Sequence, residues 1–253
     1  MSLAQLYDFN GKTALITGAS GGLGEQFARC LSAVGTRVII AARRVDKLEK
    51  LVTELDNAKA IKLDVADKES VNNCFDELEK AGEKIDICIN NAGIGALTPL
   101  FEEDENNDFE SIIQTNLLGV WFVTKAVANH MKNNNINGSI INISSINGAA
   151  TPAKNGSAYS ISKAAVIHLT KTLVGELSPY NIRINCISPG FFKTTMTKAN
   201  IDKVILHIPS GFAADPTDMD GLILYLSSNK ASRYVTGSCF TIDGGMSWGG
   251  KSW

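Results

Sequence analysis

Short apolar runs alternate with longer stretches of helical period along almost the whole chain. Runs this apolar are typical of parallel strands covered by helices on both faces. Strands are predicted at 13–17, 37–42, 60–63, 85–90, 139–144, 183–188 and 239–242. Helices are predicted at 25–34, 45–55, 68–81, 109–132, 159–177 and 218–226. The alternation therefore predicts an α/β protein, with a doubly wound parallel sheet in three layers (αβα).

The composition restricts the class of protein. No linker or internal repeat divides the 253 residues, which predicts a single domain over 1–253. A net charge of -2 argues against a nucleic-acid partner, and the lack of a run of about 18 apolar residues argues against a membrane one. The five cysteines are odd in number and lack Cys-x-x-Cys spacing, so neither a disulfide framework nor a metal site is expected. Reduced thiols and a start without an apolar signal segment predict a cytoplasmic protein.

A glycine-rich turn follows the first predicted strand. Its spacing over Gly18, Gly22 and Gly24 is G-x-x-x-G-x-G, which is neither the common G-x-G-x-x-G fingerprint nor a P-loop. Glycines at a strand-to-helix turn let a pyrophosphate approach the backbone, and the helix N-terminus favours an anion. Together with Ser20 and Leu23, these glycines are the predicted phosphate site of a Rossmann-type dinucleotide fold. The alternative is a flexible turn without a ligand.

Two arginines follow the second predicted strand. An acidic residue there would bind the ribose 2'-hydroxyl of NAD, but the chain has Arg43 and Arg44. Guanidinium groups suit a 2'-phosphate, so NADP is favoured and NAD is less expected. The alternative is that both arginines begin an exposed helix. Asp64 ends the third strand, where it contacts an adenine amino group or caps the next helix.

Tyr159 and Lys163 lie four residues apart on a predicted helix and therefore share one face. A lysine ammonium near a phenol lowers the tyrosine pKa. A tyrosine tuned in this way exchanges a proton with a carbonyl or an alcohol. This pair alone is a weak signal, since most such pairs are a half-buried tyrosine beside a solvated lysine.

Taken together, these motifs resemble the short-chain dehydrogenase/reductase family from about residue 8 to 245. The further motifs that carry the resemblance are Asn90-Asn91-Ala92-Gly93, Ser144-Ser145, and Pro189-Gly190. The resemblance implies that Tyr159 is the catalytic acid/base, with Lys163 supporting it and binding the nicotinamide ribose. It also implies that Ser145 holds the substrate oxygen and that Asn116 supports a proton relay to the lysine.

The resemblance assigns further cofactor-binding positions. They are Asp64 and Val65 at the adenine, Asn90, Ala92 and Gly93 after the fourth strand, and Pro189, Gly190 and Thr194 near the nicotinamide. It also implies a homotetramer, in which the helices at 109–132 and 159–177 pair between subunits and residues 244–253 pack at another interface.

The implied activity is NADP(H)-dependent interconversion of a carbonyl and a secondary alcohol of a small molecule. Candidate pocket residues are mainly apolar, which suits a 3-oxoacyl thioester; a sugar or polyol is the alternative substrate. A further alternative is a non-catalytic NADP-binding scaffold, against which the complete set of Asn116, Ser145, Tyr159 and Lys163 argues. An irregular stretch at about 191–216 is predicted to be a substrate lid.

Overall fold

The computed structural model of the chain describes residues 2–101, 106, 108–197 and 201–249. Within them, seven strands form one fully parallel sheet in the order β3-β2-β1-β4-β5-β6-β7. The strands are β1 (Thr13–Thr17), β2 (Arg37–Ala42), β3 (Ala58–Lys62), β4 (Ile87–Asn90), β5 (Ser139–Ile143), β6 (Arg183–Pro189) and β7 (Cys239–Ile242).

Helices connect these strands. They are α1 (Leu3–Leu6), α2 (Gly22–Ala33), α3 (Val45–Val52), α4 (Lys68–Lys80), α5 (Asp108–Ile113), α6 (Gly119–Asn133), α7 (Ile146–Ala149), α8 (Ser157–Thr172), α9 (Val174–Leu177), α10 (Ile201–Ile205), α11 (Asp220–Ser227) and α12 (Met246–Gly249). In the part of the chain that the structure describes, no helix is both long and apolar enough to cross a bilayer.

The sheet is buried on both faces. Successive residues of a strand point to opposite faces, so Ala14 and Ile16 pack with α2 and α11 while Leu15 packs with α4 and α6. Both clusters consist of almost fully buried aliphatic and aromatic side chains. The predicted single domain, with a doubly wound parallel sheet in three layers, is therefore confirmed.

The boundaries of several elements differ from the sequence predictions. The edge strand β3 begins at Ala58, two residues earlier than predicted, directly after Asn57 with its positive φ of 51°. The sequence pattern missed these first residues because a residue of an edge strand can pair with β2 without being apolar. The predicted helix over 109–132 is interrupted by a π-helical turn, Gln114–Leu118. The predicted helix over 159–177 begins at Ser157 and ends at Thr172, before the separate turn α9.

The strand order reverses beside β1, because the chain runs outward through β2 and β3 and then returns to β4. In open parallel sheets, ligands bind at the carboxyl ends of the strands where the order reverses. The ends of β1, β4, β5 and β6 therefore surround the position where a ligand site is expected.

Candidate active site

The glycine turn after β1 is shaped by close backbone contacts. A Cβ at Gly18 would lie 2.7 Å from Ala92 Cα, and one at Gly24 would lie 2.5 Å from the Gly18 carbonyl oxygen. Gly18 and Gly22 also have positive φ angles, of 68° and 61°. Among the described residues, no side chain caps the N-terminus of α2, and its first residues Gly22 and Leu23 line the cleft. This geometry suits a bound phosphate.

Arg43 and Arg44 lie at one end of the cleft, where β2 ends. Both side chains are exposed, and Arg44 Nη2 donates to Ser20 Oγ at 2.8 Å. The guanidinium group of Arg44 is thus held against the glycine turn. Arg44 also directly precedes the first residue of α3. The arginines can therefore begin an exposed helix and bind a 2'-phosphate at the same time.

Asp64 and Val65 line the cleft next to the arginines. The Asp64 carboxylate accepts the N–H of Ala66 at 3.0 Å. Asp67, not Asp64, caps α4 by accepting the N–H of Glu69 at 2.9 Å. The capping alternative for Asp64 is therefore wrong, and Asp64 is part of the cleft wall.

Asn90 does not line the cleft, and its sequence-based assignment to the cofactor is wrong. The side chain of this last β4 residue lies on the face of the sheet that α6 covers, where its Nδ2 donates to Thr124 Oγ1 at 2.9 Å and to Asn142 Oδ1 at 2.8 Å. The next residue, Asn91, lines the cleft instead and donates from Nδ2 to the Thr17 carbonyl oxygen at 3.0 Å. Ala92 and Gly93 line the cleft as predicted.

The predicted catalytic side chains converge at the other end of the cleft. Ser145 follows β5, and Tyr159 and Lys163 project from one face of α8. Lys163 is buried, its Nζ lies 5.7 Å from the centre of the Tyr159 ring, and it donates to the Ile143 carbonyl oxygen at 2.9 Å. Ser145 lies next to Tyr159 in the cleft wall and acts to lower the pKa of the phenol.

Asn116 lies in the π-helical turn and is fully buried. Its Oδ1 accepts the N–H of Ile94 and its Nδ2 donates to the Ile94 carbonyl oxygen, both at 2.8 Å. A Cβ at Gly93 would lie 3.2 Å from Asn116 Oδ1 and 3.4 Å from Lys163 Nζ. Asn116 thus fixes the loop after β4 beside the lysine, without forming part of the cleft wall.

Burial dominates the ionisation of the tyrosine and the lysine. It raises the pKa of Tyr159, against the opposing effect of Ser145, whereas the sequence predicted that Lys163 lowers this pKa. Burial lowers the pKa of Lys163 to about 8, with an opposing contribution from Cys186. In the protein alone, burial is thus the main influence on the pKa of Tyr159.

The cleft joins these parts into one continuous site of about 420 Å³. Its walls also include the predicted residues Ser20, Gly22, Leu23, Pro189, Gly190 and Thr194. Sequence reasoning did not assign Ala42, Leu63, Thr115, Thr195 or Thr197, which also line it. These residues belong to no recognisable motif, so only the fold could place them.

An elongated cleft with an uncapped helix N-terminus in its wall and arginines at one end fits a dinucleotide phosphate. The glycines of the turn have no side chains, so the part of the cleft next to the helix N-terminus stays open for the phosphate. The fold and the cleft thus define an α/β protein of the dinucleotide-binding class.

Comparison with known proteins agrees with this class. The family model described as short chain dehydrogenase matches residues 12–204, and the chain belongs to this family. The 3-oxoacyl-[acyl-carrier-protein] reductase FabG of Thermotoga maritima is 35% identical over 93% of this chain and 98% of its own length. Nodulation protein G of Rhizobium sp. strain N33 is 34% identical over 95% of this chain and 99% of its own length.

Solved structures show the same similarity. A short-chain type dehydrogenase/reductase from Mycobacterium marinum has a TM-score of 0.92 and 36% identity, covering 98% of this chain and 100% of the other. A gluconate 5-dehydrogenase from Burkholderia cenocepacia J2315, solved with NADP and tartrate, has a TM-score of 0.90 and 31% identity, covering 97% and 98%.

Proposed function

We propose that the protein is an NADP(H)-dependent oxidoreductase that interconverts a carbonyl and a secondary alcohol. The observation that carries the proposal is the convergence of Ser145 and Tyr159 on one cleft, with the Nζ of the buried Lys163 5.7 Å from the centre of the tyrosine ring. The nicotinamide supplies or accepts the hydride when the cofactor is bound. The protein groups position the substrate and move one proton.

In the reduction, Tyr159 donates its phenolic proton to the carbonyl oxygen as the carbon gains a hydride, and Ser145 donates a hydrogen bond to the same oxygen. The raised pKa keeps Tyr159 protonated and ready to donate. Lys163 stabilises the phenolate that forms after transfer, because its ammonium lies close to the ring. Asn116 holds the neighbouring loop in place. Alcohol oxidation uses the same groups in reverse.

Arg43 and Arg44 support NADP as the cofactor, as does the similarity to the gluconate 5-dehydrogenase solved with NADP. The R43A/R44A double variant should bind NADPH about 100-fold more weakly, since two charge-assisted hydrogen bonds to the 2'-phosphate are lost. Its affinity for NADH should not change. Fluorescence titration of both cofactors measures this effect, and the exposed Arg233→Ala variant is the control. An equal loss for both cofactors would contradict an NADP preference.

Two substrate classes have support. The similarity to 3-oxoacyl-[acyl-carrier-protein] reductases favours a 3-oxoacyl thioester. The similarity to a gluconate 5-dehydrogenase favours a sugar or polyol. The predicted lid contributes the apolar residues Val204 and Ile208, which pack with Ile146 next to Ser145. We therefore propose that the described parts of the lid, 191–197 and 201–216, select the substrate; residues 198–200 lie outside the described residues.

A screen of NADPH oxidation over simple ketones, hydroxyketones and 3-oxoacyl thioesters tests the proposed reaction. Turnover of at least one class is expected, at a rate that the Tyr159→Phe variant abolishes. Tight NADPH binding without turnover of any carbonyl would favour the non-catalytic scaffold instead.

We also propose that the protein is a cytoplasmic homotetramer. The cysteines at positions 30, 74, 88, 186 and 239 are all free thiols, which suits a reducing compartment. The exposed apolar residues Leu118, Trp121 and Ile161 lie on the π-helical turn, α6 and α8, the helical region predicted to pair between subunits. Trp248 is exposed near the predicted second interface, of which residues 250–253 lie outside the described part.

A further inference from the structure

The hydroxyl of Ser145 is engaged by its neighbour Asn147. Ser145 Oγ donates its hydrogen to Asn147 Oδ1 at 3.1 Å and accepts the backbone N–H of Asn147 at 3.1 Å. A serine hydroxyl has a single hydrogen to donate. Ser145 therefore cannot donate to a substrate oxygen without releasing the Asn147 side chain.

The two bonds to Asn147 have different consequences for the reaction. The backbone N–H fixes the position of Ser145 Oγ whatever the side chain does. When the Ser145 hydrogen rotates toward a substrate oxygen, Asn147 Oδ1 loses its donor. Asn147 is half-buried and follows Ile146, which is almost fully buried in the cluster formed with the lid. A substrate hydroxyl that donates to this oxygen would restore the hydrogen bond that Asn147 loses.

We propose that Asn147 is a specificity-determining residue whose Oδ1 accepts a hydrogen bond from a substrate hydroxyl on the carbon next to the reacting carbon. Ser145 Oγ and Asn147 Oδ1 are 3.1 Å apart, which is close to the separation of oxygens on neighbouring carbons. A vicinal diol, or the α-hydroxy ketone that it forms on oxidation, bonds both side chains at once. A simple ketone leaves Asn147 Oδ1 unpaired, and a 3-oxoacyl thioester offers it only another acceptor.

This inference rests on the proposed carbonyl–alcohol activity and selects the sugar or polyol class within it. The test compares 3-hydroxy-2-butanone with 2-butanone, which differ by the one hydroxyl, in NADPH-dependent reduction. The wild-type protein should favour the hydroxyketone by about tenfold in kcat/KM, because only that substrate replaces the lost hydrogen bond.

Variants separate recognition from a structural role. Asn147→Ala should remove the preference by lowering kcat/KM for 3-hydroxy-2-butanone while leaving that for 2-butanone unchanged or higher, since Ser145 is then free to donate. Asn147→Asp keeps an acceptor oxygen and should keep the preference. Asn129→Ala, whose side chain bonds only its own helix at Lys125, is the matched control. If Asn147 had only a structural role, Asn147→Ala would lower kcat/KM for both ketones by the same factor, and that result would overturn the inference.

A binding measurement keeps the inference testable apart from turnover. Calorimetric titration of 2,3-butanediol and 2-butanol into the NADP complex should show the same preference, and Asn147→Ala should remove it. Equal binding of the two alcohols by the wild-type protein would overturn the role of Asn147 even if ketones are reduced. Discrimination between the alcohols without reduction of any ketone would instead refute the proposed activity.

Discussion

Lys163 is a charged side chain that burial destabilises. It is 4% exposed, its pKa falls from 10.5 to about 8, and the Ile143 carbonyl oxygen accepts one of its hydrogens. At about 1.4 kcal/mol per pKa unit, this shift corresponds to a destabilisation of roughly 3 kcal/mol while the lysine is charged. The protein tolerates this cost at the position where the proposed chemistry needs a cation.

The Lys163→Met variant should therefore be inactive yet more stable than the wild type at pH 7, by about 6 to 12 °C in Tm. The folded pKa lies below the unfolded one, so the cost is complete below pH 8 and disappears as the pH rises toward 10.5. The gain in stability should shrink over that range. Thermal unfolding at pH 7, 8, 9 and 10 measures it, and a variant less stable at every pH would contradict the account.

Single residues show what the sequence can and cannot predict about the site. Tyr159 and Lys163 were predicted to share a helix face, and the structure places both at the cleft. Asn90 was assigned to the cleft in error. Successive side chains along a strand point in opposite directions, so Asn91 lines the cleft whereas Asn90, one residue earlier, points away from it. The pKa of Tyr159 depends on burial by residues distant in sequence, so no local motif predicts it.

At the scale of elements, the contact between α7 and α8 connects the serine to the tyrosine and lysine. A Cβ at Gly148 in α7 would lie 2.4 Å from both Lys163 C and Ala164 N in α8. Because these are backbone atoms, a side chain there must push the two helices apart. Ser145 directly precedes α7, so its position depends on this contact.

Gly148→Ala should therefore reduce kcat/KM at least tenfold and destabilise the protein by about 2 kcal/mol. Gly175→Ala is the matched control, because it lies in the helix α9 and a Cβ there meets nothing within 4 Å. The control should leave activity unchanged and stability equal or slightly higher. Steady-state kinetics and chemical denaturation measure both effects. A Gly148→Ala variant with wild-type values would show that the helices can separate freely.

The π-helical turn at Gln114–Leu118 is an element that the sequence did not predict. Residues 109–132 contain no proline that would mark a break, so the sequence predicted one continuous helix. The turn places Asn116 where its side chain can bond both backbone groups of Ile94. The π-helical turn, which the sequence did not predict, is thus part of the candidate site.

For the whole molecule, the alternation of apolar runs and helical stretches was sufficient to predict the layers and the parallel sheet. Each strand of such a sheet is buried on both faces, so each one appears in the sequence as a continuous apolar run. The packing of the described parts of 191–216, the proposed lid, was not predictable in the same way. Its buried residues contact Ile146 and Met246, which are far from it in sequence, and its own pattern is irregular.

The proposed tetramer predicts the effect of a charge in the exposed apolar region. Ile161 is 51% exposed on α8, so Ile161→Arg should leave the subunit folded but dissociate the assembly by placing a charge at the interface. Size-exclusion chromatography with light scattering should give the mass of four chains for the wild type and a lower mass for the variant. Leu3→Arg, at a residue 75% exposed on α1, is the control. A monomeric wild type would contradict the assembly.

In the proposed carbonyl–alcohol interconversion, Tyr159 moves the proton. The most direct measurement is the turnover of the Tyr159→Phe variant, together with its affinity for NADPH. Phenylalanine keeps the ring beside Lys163 and Gly95 but removes the transferable proton. We predict NADPH affinity within about twofold of the wild type and a loss of at least 1,000-fold in kcat. Substantial remaining turnover would contradict it.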